Sequence, residues 1–281
     1  MKMIQQSMLI RDTANNIYAA LTSKEDIAQW WGLVNPDADG VTSWYGMDRE
    51  WAVPIVAMEQ DKSIAFAFDA HHPYETERTE PTQITFTIHE QGNHCIVTVL
   101  QSMFPDDTWN TLIHDGWVYA LLSLQLWVER GIAFRTFADT EQYYSVSKTI
   151  ALHTNANTAW RYLTRGPRMG IWLGAEVTSD PQVGGVFNIK WSDDERVGGE
   201  WVLLSTPRNI VSHWWDAKSL EERDDPGMIT VQMWTILPAN QGCVVRLSEF
   251  GYDRTAITAE GFAEIDAGWD RMLAKLAEIT G

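Results

Sequence analysis

Hydrophobic and polar positions along the chain follow two spacings, one typical of strands and one typical of helices. Over residues 144–152, bulky residues alternate with serine and threonine, which predicts a strand with two different faces. Over residues 113–128 and 262–279, the apolar residues recur with helical spacing. These two segments are therefore predicted to be long amphipathic helices.

The two spacings divide the chain into two similar series, each with a strand, two short helices, a run of strands and a long helix. Asp12 or Thr13 is expected to cap the first short helix of the first series, and Thr154 or Asn155 that of the second. The second short helices are predicted at residues 25–31 and 167–172. The predicted strands cover residues 3–10, 41–46, 51–58, 63–68, 82–89 and 95–103, then 144–152, 186–191, 199–204, 210–215, 228–237 and 243–252. Short turns between them favour antiparallel pairing.

The similarity of the two series extends to individual residues, which indicates an internal duplication. The matched pairs are Leu21 with Leu163, Trp30 with Trp172, Phe86 with Trp234, Cys95 with Cys243, and Trp117 with Trp269. Their separation increases from 142 to 148 to 152 residues along the chain, as small loop insertions would cause. Several matches in the same order are unlikely to arise by chance.

The duplication predicts two tandem domains, residues 1–138 and 143–281, joined by a polar segment. Each domain is expected to have an α+β fold. A curved antiparallel sheet would wrap around the long C-terminal helix, because both elements must bury an apolar face. Such an arrangement tends to leave a cavity between sheet and helix.

Charge excludes some classes of partner. The chain has 21 Lys and Arg residues and 38 Asp and Glu residues, which gives a formal net charge of −17. This charge disfavours nucleic acid and anionic membrane surfaces, which bind to basic residues. The two cysteines lie at equivalent places in separate domains, so reduced, buried thiols are expected. With no apolar leader segment in the sequence, we expect a soluble cytoplasmic protein.

Several short motifs together resemble one known superfamily. In the second half they are Ala159–Thr164, Ile171–Trp172, Val183–Phe187, Gly199–Trp201 and Gly268–Trp269, and in the first half Ala20–Thr22, Trp30–Gly32 and Gly116–Trp117. This order resembles the SRPBCC superfamily, also called START-like or Bet-v-1-like, and within it the family of homologues of the activator of the 90-kDa heat-shock-protein ATPase. The first half departs from the pattern, because it lacks the Val-Gly-Gly motif. The resemblance implies two tandem helix-grip domains whose cavities hold lipid-like, polyketide or aromatic molecules.

The residues themselves supply no complete catalytic motif. The nucleotide-binding glycine motifs, the serine-nucleophile motifs and the histidine spacings of metal sites are all absent from the sequence. We therefore expect no cofactor and no metal. Two residues remain as candidate acid–base groups. Glu249 shares a strand face with Val245 and Leu247, or else lies at a sheet edge in contact with water. His213 points either into the cavity or out to solvent.

Fifteen tryptophans are the most unusual feature of the composition. Large rings fill cores or line cavities for apolar ligands. The candidate ligand-binding residues are Trp172, Trp191, Trp201, Trp214, Trp234 and Trp269. Core packing is the alternative for each of them.

Three functions are compatible with these patterns. The first is the binding of a small hydrophobic or amphipathic molecule, without catalysis, in the cavity of the second domain, which follows the family pattern more closely. The second is an enzyme of the polyketide-cyclase or aromatase type that uses Glu249 or His213. The third is a module that assists a chaperone or another protein partner. The missing motifs favour the non-catalytic function.

Overall fold

A computed structural model describes residues 2–31, 34–35, 42–46, 49–68, 82–104, 110–133, 136, 139–216 and 229–281. The chain is divided into two compact units, Met1–Thr136 and Phe137–Gly281, because most contacts are made within a unit. Below, they are called the first and second domains.

The first domain has the predicted order of elements. They are β1 (Lys2–Ile10), α1 (Ala14–Thr22), α2 (Lys24–Trp30), β2 (Val34–Asn35), β3 (Thr42–Gly46), β4 (Arg49–Val53), β5 (Ile55–Glu59), β6 (Ser63–Phe68), β7 (Thr82–Gln91), β8 (His94–Phe104) and α3 (Asn110–Arg130). Five strands form an antiparallel sheet in the order β1-β8-β7-β6-β5, and β2, β3 and β4 form a small separate sheet.

The second domain repeats this order with a larger sheet. Its elements are β9 (Tyr143–Leu152), α4 (Ala156–Thr164), α5 (Gly166–Leu173), β10 (Glu176–Ser179), β11 (Val186–Lys190), β12 (Arg196–Ser205), β13 (Asn209–Asp216), β14 (Ile229–Ala239), β15 (Gly242–Asp253) and α6 (Ala259–Thr280). All seven strands pair antiparallel in the order β10-β11-β12-β13-β14-β15-β9. The predicted α+β, helix-grip fold is confirmed.

Local sequence explains most of the element boundaries. Thr13 and Asn155 cap α1 and α4, because their side chains accept hydrogen bonds from Asn16 N and Thr158 N. The predicted strand 51–58 is two strands, separated at Pro54, which has no N–H group to donate to a sheet. The sequence missed β2 and β10, since strands of two and four residues carry almost no periodic signal.

Gly199 on β12 shows how closely side chains pack against the backbone of the sheet. Gly199 lies opposite Phe187 on the neighbouring strand. A methyl group at Gly199 would overlap the Phe187 ring. Glycine is therefore required here for side-chain space rather than for backbone conformation, and the ring packs directly on the backbone of β12.

Equivalent contacts recur in the two domains. The Trp30 indole donates to Ala20 O and the Trp172 indole donates to Tyr162 O, each over 2.8 Å. Both hydrogen bonds tie the end of the second short helix to the first. The structure thus places the matched tryptophans in equivalent positions, as the duplication predicts.

The cysteines also occupy equivalent positions. Cys95 and Cys243 are each 1% exposed and neither forms a disulfide. Burial raises the pKa of the Cys243 thiol and, with the neighbouring Glu90 and Asp12 charges, that of Cys95. Thiols with raised pKa values stay protonated at neutral pH and react slowly.

Candidate functional site

A cavity of about 820 Å³ lies in the second domain between its sheet and α6. The sheet contributes residues of β12 to β15, the helix contributes its inward face, and Leu173 at the end of α5 closes one side. This volume is in the range of small-molecule sites. Aromatic side chains form much of the wall: Trp191, Trp214, Tyr252 and Trp269.

One ionisable side chain is buried in this wall. Glu249 on β15 is 2% exposed. Its Oε1 accepts hydrogen bonds from Thr230 Oγ1 at 2.9 Å and from Gln232 Nε2 at 3.0 Å. Its Oε2 accepts one from Trp269 Nε1 at 2.7 Å, and Tyr252 also hydrogen-bonds to the carboxylate. Four neutral donors thus surround one carboxyl group.

Burial decides the protonation tendency of Glu249. Removal from water penalises the charged form and raises the pKa of Glu249, while the four hydrogen bonds oppose this effect only partly. The carboxyl group is therefore more readily protonated than that of an exposed glutamate. A buried acid in a cavity wall can hold or release a proton near a bound molecule.

The orientation of Gln232 is fixed by its other neighbour. Trp234 Nε1 donates to Gln232 Oε1 over 3.2 Å. Because an indole N–H can only donate, the amide oxygen of Gln232 must face Trp234 and the amide nitrogen must face Glu249. Along β14, Thr230 and Gln232 therefore direct donors at the carboxylate, and Trp234 holds Gln232 in that orientation.

The first domain has an uncharged version of this cluster. Gln101 stands opposite Ile84 in the sheet, as Glu249 stands opposite Gln232. Trp117 Nε1 donates to Gln101 Oε1 over 2.7 Å, and Gln101 Nε2 donates to Thr82 Oγ1 over 3.1 Å. The charge is specific to the second domain.

A second difference concerns the space beneath the helix. Trp31 of the first domain corresponds to Leu173 of the second in the duplication. The Trp31 ring lies 5.1 Å from that of Trp117 and 5.8 Å from that of Phe86, measured between centroids. In the second domain the smaller Leu173 borders the cavity instead. The larger ring fills space that the second domain leaves open.

The predicted tryptophans fall into two groups. Trp191, Trp214 and Trp269 line the cavity. Trp172, Trp201 and Trp234 are buried in the core of the domain and are not among the described residues that line it. Whether any of the six contacts a ligand stays a prediction.

The two acid–base candidates lie on different sides of the sheet. Glu249 faces the cavity with the core residues Val245 and Leu247, and its strand is an interior one rather than an edge. His213 is 6% exposed and adjoins Trp214 on β13, so it points to the opposite face. It pairs there with Glu200 across the sheet. His213 thus lies neither in the cavity wall nor in solvent.

Sequence reasoning missed Thr230, Gln232, Tyr252 and Leu173. The alternation that assigned Glu249 to the inner face would also have assigned Thr230 and Gln232 to it, had β14 been paired with β15 in register. Leu173 has no functional group that would mark it as a site residue. Its role is recognised only when it is compared with Trp31, the equivalent residue of the first domain.

Over the residues that the structure describes, no group of three or more His, Cys, Asp and Glu side chains is placed to hold a metal ion. Within the same residues, no helix has both the length and the apolar content needed to cross a bilayer.

Comparison with known proteins places this fold in a family. The family model described as "Activator of Hsp90 ATPase homolog 1-like protein" matches residues 12–129 and 153–281, one match in each domain. The chain belongs to this family. The predicted resemblance is confirmed, and the chain contains two copies of the unit that defines the Activator of Hsp90 ATPase homolog 1-like family.

Solved structures with similar folds include single-domain and two-domain proteins. Protein MLL2253 from Mesorhizobium loti is 20% identical over 48% of this chain and 95% of its own, with a TM-score of 0.42. The Aha1 protein of Colwellia psychrerythraea is 20% identical over 47% of this chain and 98% of its own, with a TM-score of 0.40. The two-domain ARO/CYC protein StfQ of the steffimycin biosynthetic pathway is 14% identical over 99% and 98%, with a TM-score of 0.40. No curated protein matches the chain.

Proposed function

We propose that the second domain binds a small hydrophobic or amphipathic molecule in the cavity between its sheet and α6. The observation that carries this proposal is the cavity of about 820 Å³, walled by aromatic rings and containing one buried polar cluster. Apolar walls with a few directed polar groups are typical of sites that hold small molecules. Burial of an apolar ligand there contributes about 25 cal/mol for each Å² removed from water.

The proposal is tested by ligand binding to the whole protein. Native mass spectrometry before and after denaturation detects a molecule that copurifies with the protein. A panel of lipids and aromatic compounds is then titrated while tryptophan emission is recorded, because Trp214 and Trp269 line the cavity. Binding is expected at one site per chain.

A matched variant separates the cavity from other surfaces. In Leu173→Trp, the second domain receives the side chain that fills the equivalent space of the first domain. Binding that persists unchanged in this variant would overturn the proposal. The alternative would then be binding of a protein partner. The first surface to test would be edge strand β5, where the apolar side chains of Ile55, Val56 and Met58 are exposed.

A catalytic role for the same cavity is the second candidate. Burial raises the pKa of Glu249, and Tyr252 hydrogen-bonds to it inside the cavity wall. Such a pair can supply and accept a proton in enol or aldol chemistry of the polyketide-cyclase type. Turnover of a polyketide-like substrate that Glu249→Gln abolishes without loss of binding would favour this candidate over binding alone.

A further inference from the structure

The chemistry of the cavity wall selects one class of ligand. We propose that the second domain binds a molecule in which a hydrophobic body carries a cationic ammonium group. This inference rests on the proposed function, because it names the chemistry of the molecule that the cavity would hold. Three observations support it. The hydrogen-bond donors of the cavity wall are bound to protein acceptors, aromatic rings line the cavity, and most charged side chains around it are negative.

Three indole N–H groups of the wall are already bound to protein acceptors. Trp191 donates to Leu173 O at 3.1 Å, Trp214 to Ser212 Oγ at 2.9 Å, and Trp269 to Glu249 Oε2 at 2.7 Å. Thr230, Gln232 and Tyr252 likewise direct hydrogen bonds at the carboxylate. An anionic or carbonyl ligand needs donors, and these donors are used inside the protein, which leaves the guanidinium of Arg271 as a donor among the lining residues. The wall mainly offers ring surfaces and acceptors.

Aromatic rings line the cavity, and two of them pack edge to face on each other. The Trp214 and Trp269 centroids lie 6.1 Å apart and their planes meet at 67°, while Trp191 and Tyr252 also line the cavity. The negative face of an aromatic ring attracts a cation, and tryptophan does so most strongly. Aromatic ring faces are used in this way to recognise quaternary ammonium groups.

The buried carboxyl group has no positive partner within the protein cluster that surrounds it. Its four hydrogen-bond donors, Thr230, Gln232, Tyr252 and Trp269, are all neutral. A buried charge without a counterion is costly, and a ligand cation would remove that cost. The fold itself does not require the charge, since the first domain keeps the equivalent hydrogen bonds with the neutral Gln101.

The other charged groups near the cluster also favour a cation. Glu195 and Glu264 line the cavity, against the single guanidinium of Arg271. Lys148 of β9, two residues beyond the strand partner of Glu249, is bound at 2.9 Å to both Asp266 and Asp270 of α6. The charged side chains that line the cavity are thus predominantly negative.

Three probes with the same decyl chain test the inference: decyltrimethylammonium, decanol and decanoate. Each is titrated into the whole protein by isothermal titration calorimetry below its aggregation concentration. We expect decyltrimethylammonium to bind at least about tenfold more tightly than decanol, from the cation–π and charge contributions. Decanoate is expected to bind most weakly.

Proton release supplies a readout that a purely structural role would not change. The quaternary ammonium group has no proton to lose, so any proton released on binding comes from the protein. A cation beside Glu249 favours its charged form and lowers its raised pKa. Calorimetry in buffers of different ionisation enthalpy should therefore show release with decyltrimethylammonium and not with decanol.

Two variants assign the effect to the carboxylate. Glu249→Gln is expected to weaken decyltrimethylammonium by at least about tenfold, to abolish proton release and to leave decanol nearly unchanged. Glu249→Gln combined with Gln232→Ile reproduces the side chains of the first domain, which folds with Gln101 opposite Ile84, and serves if the single variant misfolds. Glu278→Gln, an exposed change of the same charge on α6, is the control and should have no effect.

The outcomes separate this inference from the proposed function. If decanol or decanoate binds as tightly as the cation and Leu173→Trp abolishes that binding, the cavity is a ligand site but the inference is wrong. If Glu249→Gln weakens all three probes equally, the carboxylate is structural and the inference is also wrong. If no probe binds, or Leu173→Trp changes nothing, the proposed function fails, and the inference fails with it.

Discussion

Trp269 Nε1 lies 2.7 Å from Glu249 Oε2, so a buried carboxyl group fastens the terminal helix of the second domain to its last strand. The first domain makes the equivalent connection from Trp117 Nε1 to Gln101 Oε1, also over 2.7 Å. The two hydrogen bonds share geometry and differ in charge. Comparing them separates the role of the hydrogen bond between helix and strand from the role of the negative charge on Glu249.

Removing the indole donor should cost more in the second domain than in the first. Trp269→Phe leaves Glu249 with one donor fewer. At a pH where Glu249 is ionised, hydrogen bonds to charged groups contribute about 1.5–3 kcal/mol, against about 0.5–1.5 kcal/mol for neutral pairs. Urea unfolding followed by circular dichroism measures the free energy of unfolding. Trp117→Phe is the matched control, and an equal or larger loss there would contradict the argument.

Stability should depend on pH through Glu249. Its pKa in the folded protein is raised above the ordinary value of 4.5, so the folded state holds the proton more tightly than the unfolded state. As pH rises from that ordinary value through the raised one, the free energy of unfolding should therefore fall. Above the raised pKa, the full cost of the buried charge remains.

The measurement compares the free energy of unfolding of wild type and Glu249→Gln at a series of pH values above the ordinary pKa of 4.5. The variant cannot ionise at this position, so its stability relative to wild type should improve as pH rises. The comparison is needed because burial also raises the pKa of Glu129 on α3, which contributes a similar slope to both proteins. Parallel curves for the two proteins would show that Glu249 does not titrate in this range.

Exchanging Trp31 and Leu173 should exchange the packing of the two domains. Trp31→Leu removes a half-buried ring that packs on Trp117 and Phe86, and a loss of packing of this kind costs about 0.5–3 kcal/mol. Leu173→Trp should narrow the cavity and weaken ligand binding at a smaller cost in stability. Thermal unfolding and probe titration of both variants measure the two effects. A large loss of stability in Leu173→Trp would indicate overpacking rather than a filled cavity.

An ion cluster between β9 and α6 gives a salt-dependent prediction. Burial alone would lower the pKa of Lys148, but hydrogen bonds and charges from Asp266 and Asp270 outweigh it and raise the pKa. Both aspartates are partly exposed, so Lys148→Met should cost only about 0.5–1 kcal/mol. The loss should shrink in 1 M salt, where screening acts over about 3 Å. An unchanged loss would assign the effect to packing.

The hydrophobic pattern predicted much of the fold because strands and helices bury faces with fixed periods. The order of elements, the antiparallel pairing and the helix-grip arrangement of each domain followed from alternation, helical spacing and the duplication. Alternation gave the face of Val245 and Leu247 as one of two positions for Glu249, and the structure has it on that face. Local rules worked best where the signal repeats over many residues.

The same patterns did not decide which side chains form the site. Alternation did not decide which face of the sheet the His213 side chain lies on. Only the strand register assigned it to the face opposite Trp214. The pattern did not distinguish among six tryptophans as cavity residues, and three of them, Trp172, Trp201 and Trp234, are not among the described residues that line the cavity. Short strands and single rings carry too little periodic information to fix such positions.

By itself, the sequence determined the duplication, the fold class and a family resemblance, because each depends on spacings along the chain. Tertiary structure alone decided that Thr230, Gln232, Tyr252 and Trp269 converge on one carboxyl group, since their contacts join separate elements. It also decided that Leu173 borders open space where Trp31 fills it. Cavities are differences in volume between packed side chains, and a linear pattern does not record them.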